Sequence, residues 1–232
     1  MVDGILDMTA ADMTGSSGDH AYEGLLGESY ARFMDSPWLQ RLDAWLLGMK
    51  VDRYYEGVLS QLSRLGSGPH LDLPAGGGPF LRHAPAYRHS GPWLLADLSW
   101  TMLRRLRQKC QSMGLRDTFL IRADARRLPF NTGAIGNIVS LFGFHCFHEK
   151  DRVFSEMRRC LAPEGRIIAS TLTTDGSALS RFYLRLHERD GTFATDNSLD
   201  ELQHHALAHS LDFHLVQRLG AAILFEARHA VR

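Results

Sequence analysis

Three acids stand at comparable places along this chain, each at the end of a short apolar run: Asp72 in Leu71-Asp72-Leu73, Asp97 in Leu94-Leu95-Ala96-Asp97 and Asp124 in Ile121-Arg122-Ala123-Asp124. The first is followed by Gly76-Gly77-Gly78. A glycine-rich turn between a strand and a helix lets backbone come close to a ligand and leaves N–H groups pointing outward. Asp97 lies about 20 residues further on, where an acid in nucleotide-binding folds accepts hydrogen bonds from ribose hydroxyls. Asp124 precedes a loop with Leu128-Pro129-Phe130; an acid there can accept from an exocyclic adenine amine while an apolar neighbour covers the ring. Each residue also has a plainer reading: the glycines as a tight turn, Asp97 as the cap of a helix starting at Ser99, Asp124 as a loop residue making its own turn bonds. Ser99 could perform that capping by itself. Three such ends in order point to a nucleoside-bearing ligand.

Other chemistries find less support. His145-x-x-His148 and His205-x-x-x-His209 are spaced to share helix faces, but no adjacent carboxylate set completes a site, so no metal is expected. His204, His205 and His209 read as a polar helix face. Neither a G-x-S-x-G elbow nor a G-x-x-x-x-G-K-[ST] loop occurs. Lys plus Arg (26) equal Asp plus Glu (26), so no global field draws in nucleic acid or an anionic membrane at long range, and a small-molecule partner is expected. Cys110, Cys146 and Cys160 are far apart without C-x-x-C spacing, which fits a reducing compartment and suggests the cytoplasm. The acidic N-terminus lacks signal-peptide features, and no apolar run reaches the roughly 18 residues of a membrane helix. The chain is therefore expected to be soluble and unprocessed.

The elements that must position these residues follow from pattern changes. Residues 1–20 are rich in Asp, Gly, Ser, Thr and Met without apolar period and read as a mobile arm. Residues 21–65 have helical spacing and many aromatics, a helical cap that Gly66-Ser67-Gly68-Pro69 ends. From 66 to 232, short apolar runs alternate with helical patterns, as in a parallel sheet covered by helices on both faces. Strands are predicted at His70–Leu73, Trp93–Asp97, Phe119–Ala123, Ile135–Phe142, Gly165–Leu172, Phe213–Gly220 and Ala221–Ala227. The last two leave no room for a crossover and must form an antiparallel hairpin. An insertion near 173–197 precedes the final helix.

With these motifs in order, the stretch from Leu71 to Leu172 resembles the class I S-adenosylmethionine-dependent methyltransferases, particularly the small-molecule branch with the ubiquinone and menaquinone type enzymes. The likeness runs through Asp97-Leu98-Ser99-x-x-Met102-Leu103, Asp124-Ala125-x-x-Leu128-Pro129-Phe130, Ile138 to His145, and Leu161-Ala162-Pro163-Glu164-Gly165. Two departures stand out: Pro74 and Ala75 precede Gly76 where the family has its first glycine, and Gly136 stands where it often has aspartate. The resemblance implies an α/β fold with a Rossmann-like, mostly parallel seven-stranded sheet, helices on both faces, an antiparallel C-terminal hairpin and an N-terminal helical cap. It implies S-adenosylmethionine as cofactor: Asp72 at the methionine end, Gly76 and Gly78 permitting approach, Asp97 at the ribose with Leu98 and Met102 from the same motif, Asp124 and Ala125 at the adenine, and Phe142 near the methyl group. The expected activity is methyl transfer to a small, apolar or aromatic acceptor. Tyr22, Tyr30, Arg181 and Tyr183 are the acceptor-side candidates, and His145 is the candidate base if the acceptor must lose a proton. Two rivals remain: an NAD(P)-dependent oxidoreductase, whose spacing would need glycine where Leu81 stands, and a non-catalytic S-adenosylmethionine-binding module.

Overall fold

A computed structural model describes residues 3–9, 36–81, 91–115, 117–189, 193–194 and 197–230. Its elements, in chain order, are β1 (Ile5–Asp7), α1 (Pro37–Leu46), α2 (Val51–Leu62), β2 (His70–Asp72), β3 (Trp93–Asp97), α3 (Trp100–Ser112), β4 (Thr118–Arg122), β5 (Ile135–Leu141), α4 (Lys150–Cys160), β6 (Leu161–Leu172), α5 (Ala178–Arg189), α6 (Leu199–Ala208), β7 (Leu211–Leu219) and β8 (Ala222–His229). A short 3-10 turn, Phe144–Cys146, follows β5.

The strands form one sheet in the order β1-β4-β3-β2-β5-β6-β8-β7. All pairs from β1 to β6 are parallel, and β8 is antiparallel to both β6 and β7. The sheet is covered on both faces, which explains why its central strands are nearly continuous apolar runs rather than alternating ones. Neighbours along a strand go to opposite sides, as the two-residue period demands. Ile138, Ile167 and Phe225 join one core cluster with Phe144, Phe154 and Met157. Val139, Ile168 and Leu224 join the other with Tyr54, Trp93, Leu103 and Leu106.

The Rossmann-like sheet and the C-terminal hairpin follow the expectation, with Gly220 at φ +63° turning β7 into β8. Two details differ. β6 begins at Leu161, ahead of the expected Gly165, because that early segment already pairs with Ile135 of β5. The sheet has an eighth strand where seven were expected: Ile5–Asp7, within the segment read as an arm, pairs with Leu120, Ile121 and Arg122. Three residues are too few to show a strand period, but Ile5 is fully buried in the second core cluster and Asp7 pairs with Arg122 at 3.4 Å. Within the segment expected to be a helical cap, α1 and α2 are described, with Tyr54, Val58 and Leu62 of α2 in the second core cluster, while residues 10–35 lie outside the described residues.

Candidate functional site

The glycine turn is built by its neighbours. Asp97 accepts from the Gly76 N–H through one carboxylate oxygen (2.8 Å) and from the Ser99 N–H through the other (2.9 Å). It thereby ties the loop after β2 to the start of α3. Ser99 is the N-cap of α3, its side chain accepting from the Met102 N–H, so the capping that competed as an explanation of Asp97 belongs to Ser99. Gly76 and Gly78 both have positive φ, +52° and +67°. A Cβ on Gly76 would meet nothing within 4 Å, whereas one on Gly78 would lie 2.7 Å from Leu106 Cδ1 and 2.8 Å from Leu81 Cδ1. Gly76 therefore exposes backbone, and Gly78 allows close packing. Gly77 is held by its carbonyl, which accepts from Lys109 Nζ at 3.0 Å.

These parts open onto a cavity of about 610 Å³ at the carboxyl edge of the sheet, within the usual range of small-molecule sites and where open α/β sheets bind ligands. β2 contributes Asp72 and the loop to Leu81; β3 contributes Asp97 and Leu98, with Met102 on the helix beyond. β4 contributes Asp124 and Ala125, and β5 contributes Leu141 and Phe142. Thus Asp72, Gly76, Gly78, Asp97, Leu98, Met102, Asp124, Ala125 and Phe142, scattered over 71 positions, line one space.

Phe142 is held in an unusual conformation, φ +52°, which a bulky side chain adopts only when its surroundings enforce it. Its N–H donates to Ser170 Oγ (3.0 Å), Ser170 Oγ lies 2.7 Å from the hydroxyl of Tyr54, and the Tyr54 ring stacks on Phe142 at 4.7 Å. Burial pushes the Tyr54 phenol far above the ordinary tyrosine range, so it stays a neutral hydrogen-bonding group. Phe142 and Phe80, 6.2 Å apart, line the cavity, and the Tyr54 ring packs against both.

Six site expectations need correction or fall outside the described residues. His145 does not line the cavity. Its ring stacks on Phe193 at 5.7 Å, and its Nδ1 lies 3.4 Å from Thr171 Oγ1. Full burial, and secondarily the charges of Lys150 and His187, lower its pKa from 6.5 to about 3. A weak, enclosed base of this kind is poorly matched to proton transfer near neutrality. Arg181 and Tyr183 are likewise elsewhere: Arg181 is exposed and donates to the Gly176 carbonyl, while the Tyr183 hydroxyl donates to Asp43 Oδ1 at 2.7 Å and so joins α5 to α1. No described residue of the insertion lines the cavity, and Tyr183 ties it to α1. Asp124 is at the cavity wall, but its two oxygens receive the backbone N–H, Nε and Nη2 of Arg126 at 2.8 to 3.0 Å, which takes up the lone pairs an adenine amine would use. Arg126 is also paired with Glu149 at 2.9 Å. Tyr22 and Tyr30 fall outside the described residues. The sequence reading missed Phe80, Cys146, Phe147 and His148, all of which line the cavity. The interval His145-x-x-His148 contained the signal, yet only the 3-10 turn after β5 decides which histidine faces in.

A glycine turn and strand-end acids around a cavity at the carboxyl edge of a parallel sheet define a nucleoside-binding α/β domain. Residues 71–165 match the family described as a methyltransferase domain. A demethylmenaquinone methyltransferase from Thermus thermophilus is 35% identical over 98 residues, covering 42% of this chain and 44% of that one. A ubiquinone/menaquinone biosynthesis C-methyltransferase from Pseudomonas paraeruginosa is 28% identical over 190 residues, covering 78% and 73%. The alignment with the Thermus enzyme thus spans less than half of its length. In fold, the chain is similar to an S-adenosylmethionine-dependent methyltransferase from Aquifex aeolicus, with TM-score 0.61, 16% identity and coverage of 86% and 95%. Residues 71–165 thus form a methyltransferase domain, and the chain is similar in sequence and fold to the class I S-adenosylmethionine-dependent methyltransferases.

Proposed function

We propose that the chain transfers the methyl group of S-adenosylmethionine to a small apolar or aromatic acceptor. The observation that carries this reading is the convergence of Asp72, the Gly76–Gly78 turn and Asp97 on one cavity. The donor set suits the cofactor: a Cβ on Gly76 would meet only open space, and the Asp97 carboxylate that fixes the turn through the Gly76 and Ser99 N–H groups lines the same cavity. Asp97 would hold the ribose, Asp72 would order the amino-acid end, and Leu98 and Ala125 would cover the base. Asp124 acts through Arg126, fixing the loop beside them.

When bound, the cofactor supplies a methyl group already activated for in-line displacement. The chain's residues then have to align the acceptor and exclude water, which can supply a large share of the rate. Leu141, Phe142, Phe80 and Phe147 give the acceptor side an apolar wall. The two relatives are named for menaquinone or ubiquinone biosynthesis, which supports an aromatic ring as acceptor. His148 lines the cavity and His145 does not, so His148 would be the histidine to take an acceptor proton. Cys110, Cys146 and Cys160 are in no disulfide, which fits a reducing cytoplasm, the compartment we assign.

The test is transfer of isotopically labelled methyl to a panel of hydroquinones, phenols and polar amines. Label in the extracted aromatic products is expected. Label in polar amines alone overturns the acceptor class, and binding of cofactor with no transfer to any acceptor supports the non-catalytic module instead.

A further inference from the structure

The two helices joined by Tyr183 and Asp43 each present an apolar stripe away from the core. On α1, Trp38, Leu42 and Trp45 follow i, i+4, i+7 spacing, and Trp38 and Trp45 are 68% and 67% exposed. On α5, Leu179, Phe182 and Leu186 follow i, i+3, i+7 spacing, with Phe182 at 64%. The inward sides of both helices are separately satisfied by Ala44, Leu47 and Leu184. Core packing therefore does not account for the outer stripes.

The exposed charge on the two helices is arginine alone. Arg181, Arg185 and Arg189 recur every fourth residue along the flank of the α5 stripe, and Arg41 stands beside that of α1. Every exposed position on the two helices is either apolar or arginine, because Asp43 and Glu188 are half-buried. None of these four arginines forms an ion pair among the described residues. The chain as a whole is neutral, so this is a local field and not a share of a general one.

We infer that the outer face of α1 and α5 is a docking surface for an anionic lipid bilayer. Tryptophan and phenylalanine enter the boundary between headgroup and acyl chain, and flanking arginines meet the lipid phosphates. Charge complementarity favours lipid over a second copy of the chain. An isologous contact sets a patch against itself, bringing the arginine rows of both copies together. The backbone N–H of Ala221, at the β7–β8 turn, donates to the Leu47 carbonyl just after α1, and Thr173 after β6 donates to Ala221. The face is thus anchored at the carboxyl edge of the sheet, the edge that holds the cavity.

The experiment is sedimentation of the full chain with vesicles of phosphatidylcholine alone or mixed with phosphatidylglycerol, without methyl donor or acceptor. The full chain is expected to sediment with the anionic vesicles and to be released by salt. Trp45→Glu combined with Phe182→Glu should lower that partition about tenfold or more, with S-adenosylhomocysteine affinity and melting temperature unchanged. Arg181→Gln, Arg185→Gln and Arg189→Gln together should weaken binding to anionic vesicles and remove its salt dependence. A full chain that stays in the supernatant with both vesicle types overturns the inference. So does a concentration-dependent dimer that Phe182→Glu disperses, which would give the face to a second copy. Because sedimentation with vesicles involves neither cofactor nor turnover, its failure leaves the methyltransferase reading intact, and failure of that reading leaves this one intact.

Discussion

Asp97 joins two tasks in one carboxylate: it fixes the glycine loop through the Gly76 N–H and the start of α3 through the Ser99 N–H, and it faces the cavity. Asp97→Ala should therefore weaken S-adenosylhomocysteine binding about tenfold or more, since a hydrogen bond to a charged group is worth roughly 1.5–3 kcal/mol, and should also lower the melting temperature. Asp97→Asn keeps one oxygen but turns an NH₂ toward a backbone donor, so its losses should be smaller in affinity and still visible in stability. Calorimetry and thermal melts on both variants check this, and unchanged affinity in both would remove Asp97 from the site. At His145 the expected consequence is in stability and not in turnover. Its folded pKa, about 3, lies below the ordinary 6.5, so between those values the unfolded chain binds the extra proton and stability falls as pH falls, by up to about 1.4 kcal/mol per pH unit. His145→Gln should flatten the decline in melting temperature between pH 6.5 and pH 4 while leaving kcat within a few fold at pH 7. A drop in kcat of about 100-fold would restore the base role.

At the scale of elements, the loop after β2 and the turn after β5 carry opposite kinds of constraint. Gly78→Ala adds a methyl 2.7 and 2.8 Å from Leu106 and Leu81 side-chain carbons on top of the left-handed conformation, which itself costs roughly 1–2 kcal/mol. Gly76→Ala incurs the conformational part alone and places its methyl on the ligand side. Denaturant unfolding should rank Gly78→Ala as the less stable variant, and calorimetry should show a clear loss of cofactor affinity in Gly76→Ala. For the turn after β5, Ser170→Ala leaves the Phe142 N–H without its partner, so it should destabilise by about 1–3 kcal/mol, more than Tyr54→Phe. Equal effects would mean that Ser170 does not hold Phe142. The strands that carry these loops were legible in sequence because buried parallel strands are apolar throughout, and Trp93–Asp97 has the predicted bounds. The glycines and Asp97 were legible because their roles depend on local spacing. What was not legible depends on packing between distant segments: the pairing of Ile5 with Leu120, the link from Tyr183 to Asp43, the stack of Tyr54 on Phe142, and the choice of His148 over His145 at the cavity.

For the whole molecule, one doubly covered sheet gathers its ligand-facing residues at a single edge. Among the described residues no helix is long and apolar enough to cross a membrane. The rival with the same general architecture is a nicotinamide-dependent oxidoreductase, which would use a glycine turn and an acid at matching places but lacks its third glycine here, where Leu81 is buried in the second core cluster. The two readings part most directly at the ligand itself. Titration calorimetry of the full chain with S-adenosylmethionine, S-adenosylhomocysteine and NADH separates them without any knowledge of the acceptor. The account predicts saturable one-to-one binding of both sulfur-containing nucleosides and no measurable heat from NADH; saturable NADH binding with no response to the other two would contradict it.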